Sequence, residues 1–176
     1  MKRFSISVKT AIIISIIFLF GIAFYCFMPF EKSRRTVEQF QLSESDRPSF
    51  GAAVINILPP ESGEPIASFT VEIAKTPFQQ VYGLSFVKSL PENQGMLFLY
   101  NTPRRVAFWM KNTFIPLDIL FLDENFEVVQ IKRSAQPHDE TLIPSEKEIM
   151  AVLEINARLA RKLGIRSGCR IVINSI

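Results

Sequence analysis

Leu117-Asp118-Ile119-Leu120-Phe121-Leu122-Asp123-Glu124-Asn125-Phe126-Glu127-Val128-Val129-Gln130-Ile131-Lys132 is the stretch whose reading decides the fold. Two apolar runs flank Asp123-Glu124-Asn125, whose short polar side chains favour a tight turn. The stretch therefore reads as a hairpin, with strands over 117–123 and 126–132. Upstream, Phe69, Val71 and Ile73 alternate with Thr70, Glu72 and Ala74, the period of a strand with one buried face. Thr76-Pro77 supplies an N-cap and a first-turn proline for a short helix running to about Tyr82, before Gly83. Met96 to Tyr100 reads as a strand opened by Gly95 and turned by Asn101-Thr102-Pro103. Further strands are expected over Val106–Met110, Ile149–Ile155 and Cys169–Ile173, with a helical turn or two over Ala157–Leu163 ending at Gly164. Many short strands with brief helices predict a mainly β fold, a small compact barrel or sandwich with one or two short helices.

That domain is preceded by a different kind of sequence. Ala11 to Phe30 carries no charge, and as a helix at 1.5 Å per residue it would be roughly 30 Å long, the thickness of a bilayer's hydrocarbon core. The N-terminus thus reads as a transmembrane helix or signal segment over 1–30. Gly21-Ile22-Ala23 has the small residues of a signal-peptidase site, whereas the apolar Phe24 to Phe30 makes an awkward mature terminus. Tyr25 before Cys26 argues against a lipoprotein signal. Three basic residues lie on each side of the run, so the short leading tail decides the orientation. The expectation is a single-pass cell-membrane protein with its C-terminal domain in the periplasm; the alternative is secretion to the periplasm after cleavage. Residues 31–65 read as a linker containing a short strand at Ala53–Leu58, and residues 66–176 as the β domain.

The sequence pI of about 9.0 does not imply a nucleic-acid partner. Residues 1–35 hold six basic residues against one acidic, leaving 14 basic and 16 acidic residues in the rest, a net of −2. A nucleic-acid site needs a basic stripe to displace counterions. The basic clusters instead fit anionic lipid headgroups, which makes the membrane the partner of the N-terminal segment. Two cysteines, Cys26 and Cys169, and one histidine, His138, exclude a disulfide framework, a Cys-based zinc site and a His-rich metal site. No metal or cofactor is expected, and Cys169 reads as a small core residue.

The densest polar feature is Phe108-Trp109-Met110-Lys111-Asn112-Thr113-Phe114-Ile115-Pro116-Leu117-Asp118-Ile119. On a strand, Asp118 shares a face with Leu120 and Leu122, so its charge needs a partner, and Lys111 is the nearest cation in sequence. One reading is a hydrogen-bond network that fixes the connection between two strands. The other is a small concave site, with Trp109 as a stacking wall and Lys111, Asn112, Thr113 and Asp118 as ligand contacts. Glu154 ends an apolar strand, where it either joins Lys111 in a pocket or faces solvent. His138 lies in a polar loop and reads as solvated.

These blocks resemble the DUF192 family, small and often exported proteins of unknown function. Gly95-Met96-Leu97-Phe98, Phe108 to Thr113, Ile115 to Ile119 and Val152-Leu153-Glu154 carry the resemblance, in order and spacing, from about Phe69 to Ile173. It implies a compact β structure of the barrel or sandwich type, with characteristic polar positions at Trp109, Lys111, Asn112, Thr113, Asp118 and Glu154. Three places depart from the pattern. The helix region reads Pro77 to Ser85 without its usual charges, Gly168-Cys169 replaces a Gly-Asp pair, and Asn156-Ala157 stands where a glycine turn is usual.

The function expected from these residues is that of a noncatalytic envelope accessory domain, binding a small ligand or a partner protein through a polar pocket around Trp109, Lys111 and Asp118. The alternative is an envelope hydrolase using Asp118 or Glu154 as acid or base, with Lys111 stabilising developing charge.

Overall fold

The computed structural model of the chain describes residues 42–175. The membrane or signal segment expected within 1–30 lies outside the described residues. Among the described residues, no helix is long and apolar enough to cross a membrane. In chain order the strands are β1 (Gly51–Leu58), β2 (Ala67–Ala74), β3 (Gln94–Arg104), β4 (Ala107–Phe108), β5 (Leu117–Leu122), β6 (Val128–Ala135), β7 (Ile143–Pro144), β8 (Ile149–Asn156) and β9 (Arg170–Ser175). Helix α1 (Pro77–Tyr82) lies between β2 and β3, and α2 (Leu159–Lys162) between β8 and β9.

Seven strands form one sheet in the order β6-β5-β8-β3-β2-β1-β9, while β4 and β7 make a separate two-stranded piece. Neighbours in the large sheet are antiparallel except β2 and β3, which run parallel and are joined through α1. The sheet curls into a half-barrel. Its edge strands β6 and β9 meet at one end, where Glu127 and Arg170 form a bridge. There the Val128 N–H donates to the Cys169 carbonyl at 2.8 Å, and the Gly168 N–H donates to the Val128 carbonyl at 2.9 Å.

The curl creates two cores. Ile55, Val71, Leu97, Leu120, Leu153 and Ile171 belong to a single buried cluster that also takes in Val128 at one edge. Only the concave face can bring β6 and β9 residues into one cluster with the central strands. On the opposite face, Met96, Phe98, Ile119, Phe121 and Val152 are covered by Leu84, Met110 and Ile115 from the loops. Phe108 of β4 packs edge-on against Phe98 and Phe121, with ring centroids 5.0 and 5.9 Å away. Every residue of β5 is buried in consequence. That explains why Leu117 to Leu122 shows a continuous apolar run rather than alternation.

The hairpin read from the sequence is present, and Asp123 makes its turn. Its Oδ1 accepts from the N–H groups of Asn125 and Glu127, both at 2.9 Å. The cap of α1 is also as expected. The Thr76 hydroxyl accepts from the Gln79 N–H, and Gln79 Oε1 accepts from the Thr76 N–H, closing a reciprocal capping box.

Two expectations change. The strand placed inside the linker is a full member of the sheet, paired to β2 on one side and β9 on the other, with Ala53, Ile55 and Ile57 buried. The compact unit accordingly begins at Ser43 rather than near Ile66. The strand expected over Val106–Met110 shrinks to Ala107–Phe108. Beyond Phe108 the chain leaves the ladder, and the Met110 N–H donates to the Asp139 carbonyl at 2.8 Å in a neighbouring loop.

Candidate functional site

The polar stretch after β4 folds as a turn on the convex side of the sheet. The Thr113 N–H donates to the Met110 carbonyl at 3.1 Å, which closes the turn and gathers Trp109, Lys111, Asn112 and Thr113. Two other loops hold it. The Phe86 N–H donates to the Asn112 carbonyl at 2.8 Å, and the His138 N–H is shared between the Met110 and Thr113 carbonyls at 3.1 and 3.2 Å. Phe86, Asn112 and His138 all have positive φ, at 63°, 58° and 60°. Such conformations are uncommon for residues with a Cβ and persist where the surroundings determine them.

The surface of this turn is aromatic and cationic. The Lys111 ammonium lies 5.1 Å from the centroid of the half-buried Trp109 ring, and 3.9 Å from Glu140 Oε2. Phe114, 44 % exposed, makes an edge-on contact with the His138 ring at 4.8 Å and stands 6.2 Å from Phe86. Thr113 is buried, and its hydroxyl donates weakly to the Lys111 carbonyl at 3.5 Å.

Asp118 belongs to a different part of the molecule, and its expected pairing with Lys111 is replaced. It is fully buried on the concave side, in the parity of Leu120. Its Oδ1 accepts from the Ser134 N–H at 2.8 Å and its Oδ2 from the Ala160 N–H at 3.0 Å. The physical reason lies in α2, whose N-cap position is Arg158, a residue without a capping acceptor. Asp118 supplies that acceptor from β5 and ties β6 to α2 at the same time. The two backbone donors satisfy the carboxylate without a cation.

Glu154 lies on the convex face. Its cross-strand neighbours are Met96 on β3 and Ile119 on β5, both members of the convex cluster. The residue is only 5 % exposed, and burial alone pushes its carboxyl up to about 8. Among the described residues its carboxyl makes no hydrogen bond. Tyr100, on the same strand as Met96, is held well above the usual phenol range, first by burial and then by the Glu154 charge, against the opposing effect of Arg104. The Arg104 guanidinium lies 5.8 Å from the Tyr100 ring centroid.

Two ties fix the β8 end beside Glu154. Asn156 Nδ2 donates to the Leu90 carbonyl at 2.7 Å, and the Ala157 N–H donates to the Pro116 carbonyl at 3.0 Å. Gly95 allows β3 to approach, since a Cβ there would lie 2.6 Å from the Glu154 carbonyl oxygen. The structure thus brings together Trp109, Lys111, Asn112 and Thr113, puts Glu154 in the sheet on the same side, and sends Asp118 to the opposite face. Sequence reasoning missed Tyr100, Phe86 and Phe114. Of these only Tyr100 had a usable signal, the two-residue period it shares with Met96 and Phe98. Among the described residues, no group of His, Cys, Asp and Glu could hold a metal ion.

A half-barrel sheet with loops folded over its convex face defines a class of small β domains. The chain belongs to the DUF192 family of uncharacterized proteins, whose pattern matches residues 59–173. A solved Sinorhizobium meliloti protein, provisionally named a transcription regulator, is 32 % identical, with a TM-score of 0.69 over 73 % of this chain and 98 % of its own. A Novosphingobium aromaticivorans protein of unknown function is 34 % identical, with a TM-score of 0.67 over 78 % of this chain and 96 % of its own. Comparison with curated proteins finds no match.

Proposed function

We propose that this is a noncatalytic accessory domain of the cell envelope that binds a small ligand on the convex face, against Trp109, Lys111, Asn112 and Thr113. The observation that carries the reading is the mutual locking of three loops through left-handed residues at Phe86, Asn112 and His138. Backbone strain of this kind costs about 1 to 3 kcal/mol per residue and clusters at ligand clamps. Here it holds an aromatic and a cationic side chain toward solvent, the usual makings of a recognition site. The envelope assignment rests on the uncharged Ala11 to Phe30 run with its basic flanks.

The hydrolase alternative narrows to Glu154, because both oxygens of Asp118 are engaged from the other face. Lys111 has its acidic neighbour in Glu140, so stabilisation of developing charge by Lys111 at Glu154 has no geometric support. The name of the Sinorhizobium protein is not carried over, since the chain beyond residue 35 is mildly acidic.

Thermal-shift screening of envelope metabolites, glycan fragments and short peptides tests the binding reading. Compounds that stabilise the wild type but not Lys111→Ala or Trp109→Ala support it. A screen in which every hit stabilises the variants equally refutes it. A phosphatase fused at Ile176 and active only when exported tests the location.

A further inference from the structure

The exposed hydrophobic side chains of the domain are gathered rather than scattered. Among the described residues, Phe78, Val81 and Phe114 are 39 %, 41 % and 44 % exposed, and they lie on or beside one line of ring contacts. That line runs from Phe78 through Tyr82, Phe86 and Phe114 to His138, with successive centroids 6.4, 6.0, 6.2 and 4.8 Å apart. It joins α1 to the turn after β4. Val81 follows Phe78 by three positions and shares its side of α1. The stripe is held in place from below. Tyr82 is buried, and the Phe86 and His138 N–H groups are tied to carbonyls of the turn. A single exposed apolar residue needs no explanation, whereas a contiguous run rimmed by polar groups marks an interaction surface. Here the rim is lysine: Lys75 precedes α1, Lys88 follows it, and Lys111 stands shortly before Phe114. Lys88 and Lys111 make long ion pairs, both at 3.9 Å, to Glu44 and Glu140. Such pairs hold a surface lysine only weakly.

We propose that this stripe is a membrane-docking surface, through which the domain rests on the lipid bilayer with Val81 and Phe114 inserted and Lys75, Lys88 and Lys111 at the level of the headgroup phosphates. This goes beyond ligand binding at Trp109, and it rests on the reading of Ala11 to Phe30 as a membrane segment. The length of the chain selects the bilayer over a soluble partner. The compact unit starts at Ser43, and its first residues are fixed against the stripe. The Tyr82 hydroxyl donates weakly to the Ser43 and Glu44 carbonyls at 3.4 and 3.3 Å, and the Arg47 guanidinium lies 5.9 Å from the Tyr82 ring centroid. Residues 31–42 are all that separate Ser43 from the apolar run. A connection of that length spans about 40 Å fully extended and about 20 Å as a flexible coil. A surface tethered so closely meets the bilayer at an effective concentration in the millimolar range, so a weak contact suffices. The composition of the stripe fits the same occupant. Aromatic rings settle at the boundary of headgroups and acyl chains, and lysines reach back to the phosphates. Asp139 and Glu140, beside His138, set the limit of the docking face at that end.

The test uses the full chain in nanodiscs of phosphatidylethanolamine and phosphatidylglycerol, with and without a lipid that carries gadolinium at headgroup level. Paramagnetic broadening of the backbone amides is read residue by residue. Expected is loss of the Val81 and Phe114 signals when gadolinium is present. Ser62 and Glu64, in the turn at the other end of β2 from α1, should keep theirs. Introducing Val81→Glu together with Phe114→Glu, both at exposed positions, should restore the lost signals. The first comparison is made on the wild type, so it does not depend on a variant folding. Broadening that is uniform over the domain, or centred on the Ser62 turn, overturns the inference. So do Val81 and Phe114 signals that ignore gadolinium but shift with protein concentration, which would make a second copy of the chain the occupant. Failure of the underlying reading looks different. A full chain that does not enter the nanodiscs defeats the membrane segment and the docking surface together, whereas a chain that enters them and broadens uniformly defeats the docking surface alone.

Discussion

Replacing Glu154 with glutamine should make the protein more stable, and more so as pH rises. The carboxyl titrates at about 8 in the folded chain against 4.5 when unburied, with burial as the cause. A folded-state value above the unfolded one means that the native state binds the proton more tightly. Stability from this group is fully present below about pH 4.5 and is lost progressively until about pH 8, where both states are ionised. The separation of the two values corresponds to about 5 kcal/mol at high pH and about 3 kcal/mol at neutral pH, on the order of a unit either way. Glutamine keeps the shape and cannot ionise. It leaves an amide in place of a neutral acid, so part of the gain is offset by about 1 kcal/mol. Denaturant unfolding of both proteins at several pH values between about 5 and 8 reads the effect directly. The wild-type curve should fall with pH while the Glu154→Gln curve falls less, with the two diverging from about pH 5 up to about pH 8. Parallel curves, or a variant less stable at every pH, would refute the argument that burial alone sets this carboxyl.

Asp118→Ala should destabilise by about 3 to 5 kcal/mol, because it strands the buried N–H groups of Ser134 and Ala160; Asp118→Asn should lose less, and hydrogen exchange should show α2 fraying first in both. Gly95→Ala places a Cβ 2.6 Å from the Glu154 carbonyl oxygen and should cost about 2 kcal/mol or more in chemical denaturation, with β3 and β8 forced apart. Asn112→Gly should stabilise by a few tenths to about 1 kcal/mol if the φ of 58° is strained, a gain visible as a raised melting temperature. Phe108→Ala removes the ring between Phe98 and Phe121 and should cost about 3 to 4 kcal/mol, checked by the same unfolding curves.

Much of the fold was legible in the residues because local chemistry sets it. The hairpin turn is made by the Asp123 carboxylate acting on its own neighbours, and α1 starts where Thr76 and Gln79 can cap each other. The apolar run of β5 announces burial on both faces, and the family blocks around Gly95, Trp109 and Glu154 stand in the expected order. β1 was harder to place: its alternation is short, a turn rich in proline and glycine follows it, and its strand identity depends on partners in β2 and β9.

The candidate site divides along the same line. That Trp109, Lys111, Asn112 and Thr113 act as one turn follows from their adjacency. Which carboxylate serves which face does not, because a strand places successive residues on opposite sides and the sheet's pairing decides which side is which. Asp118 pairs across to Ile155 and Ile119 to Glu154, so the two acids fall on opposite faces although both looked like partners for Lys111. By itself the sequence determined strands, caps, turn and an uncharged N-terminal run. Only the tertiary structure decided that Asp118 is a latch for α2 and that Glu154 is the buried acid left without a partner. Local rules govern the first set; the second depends on contacts between residues 16, 42 and 58 positions apart in the chain.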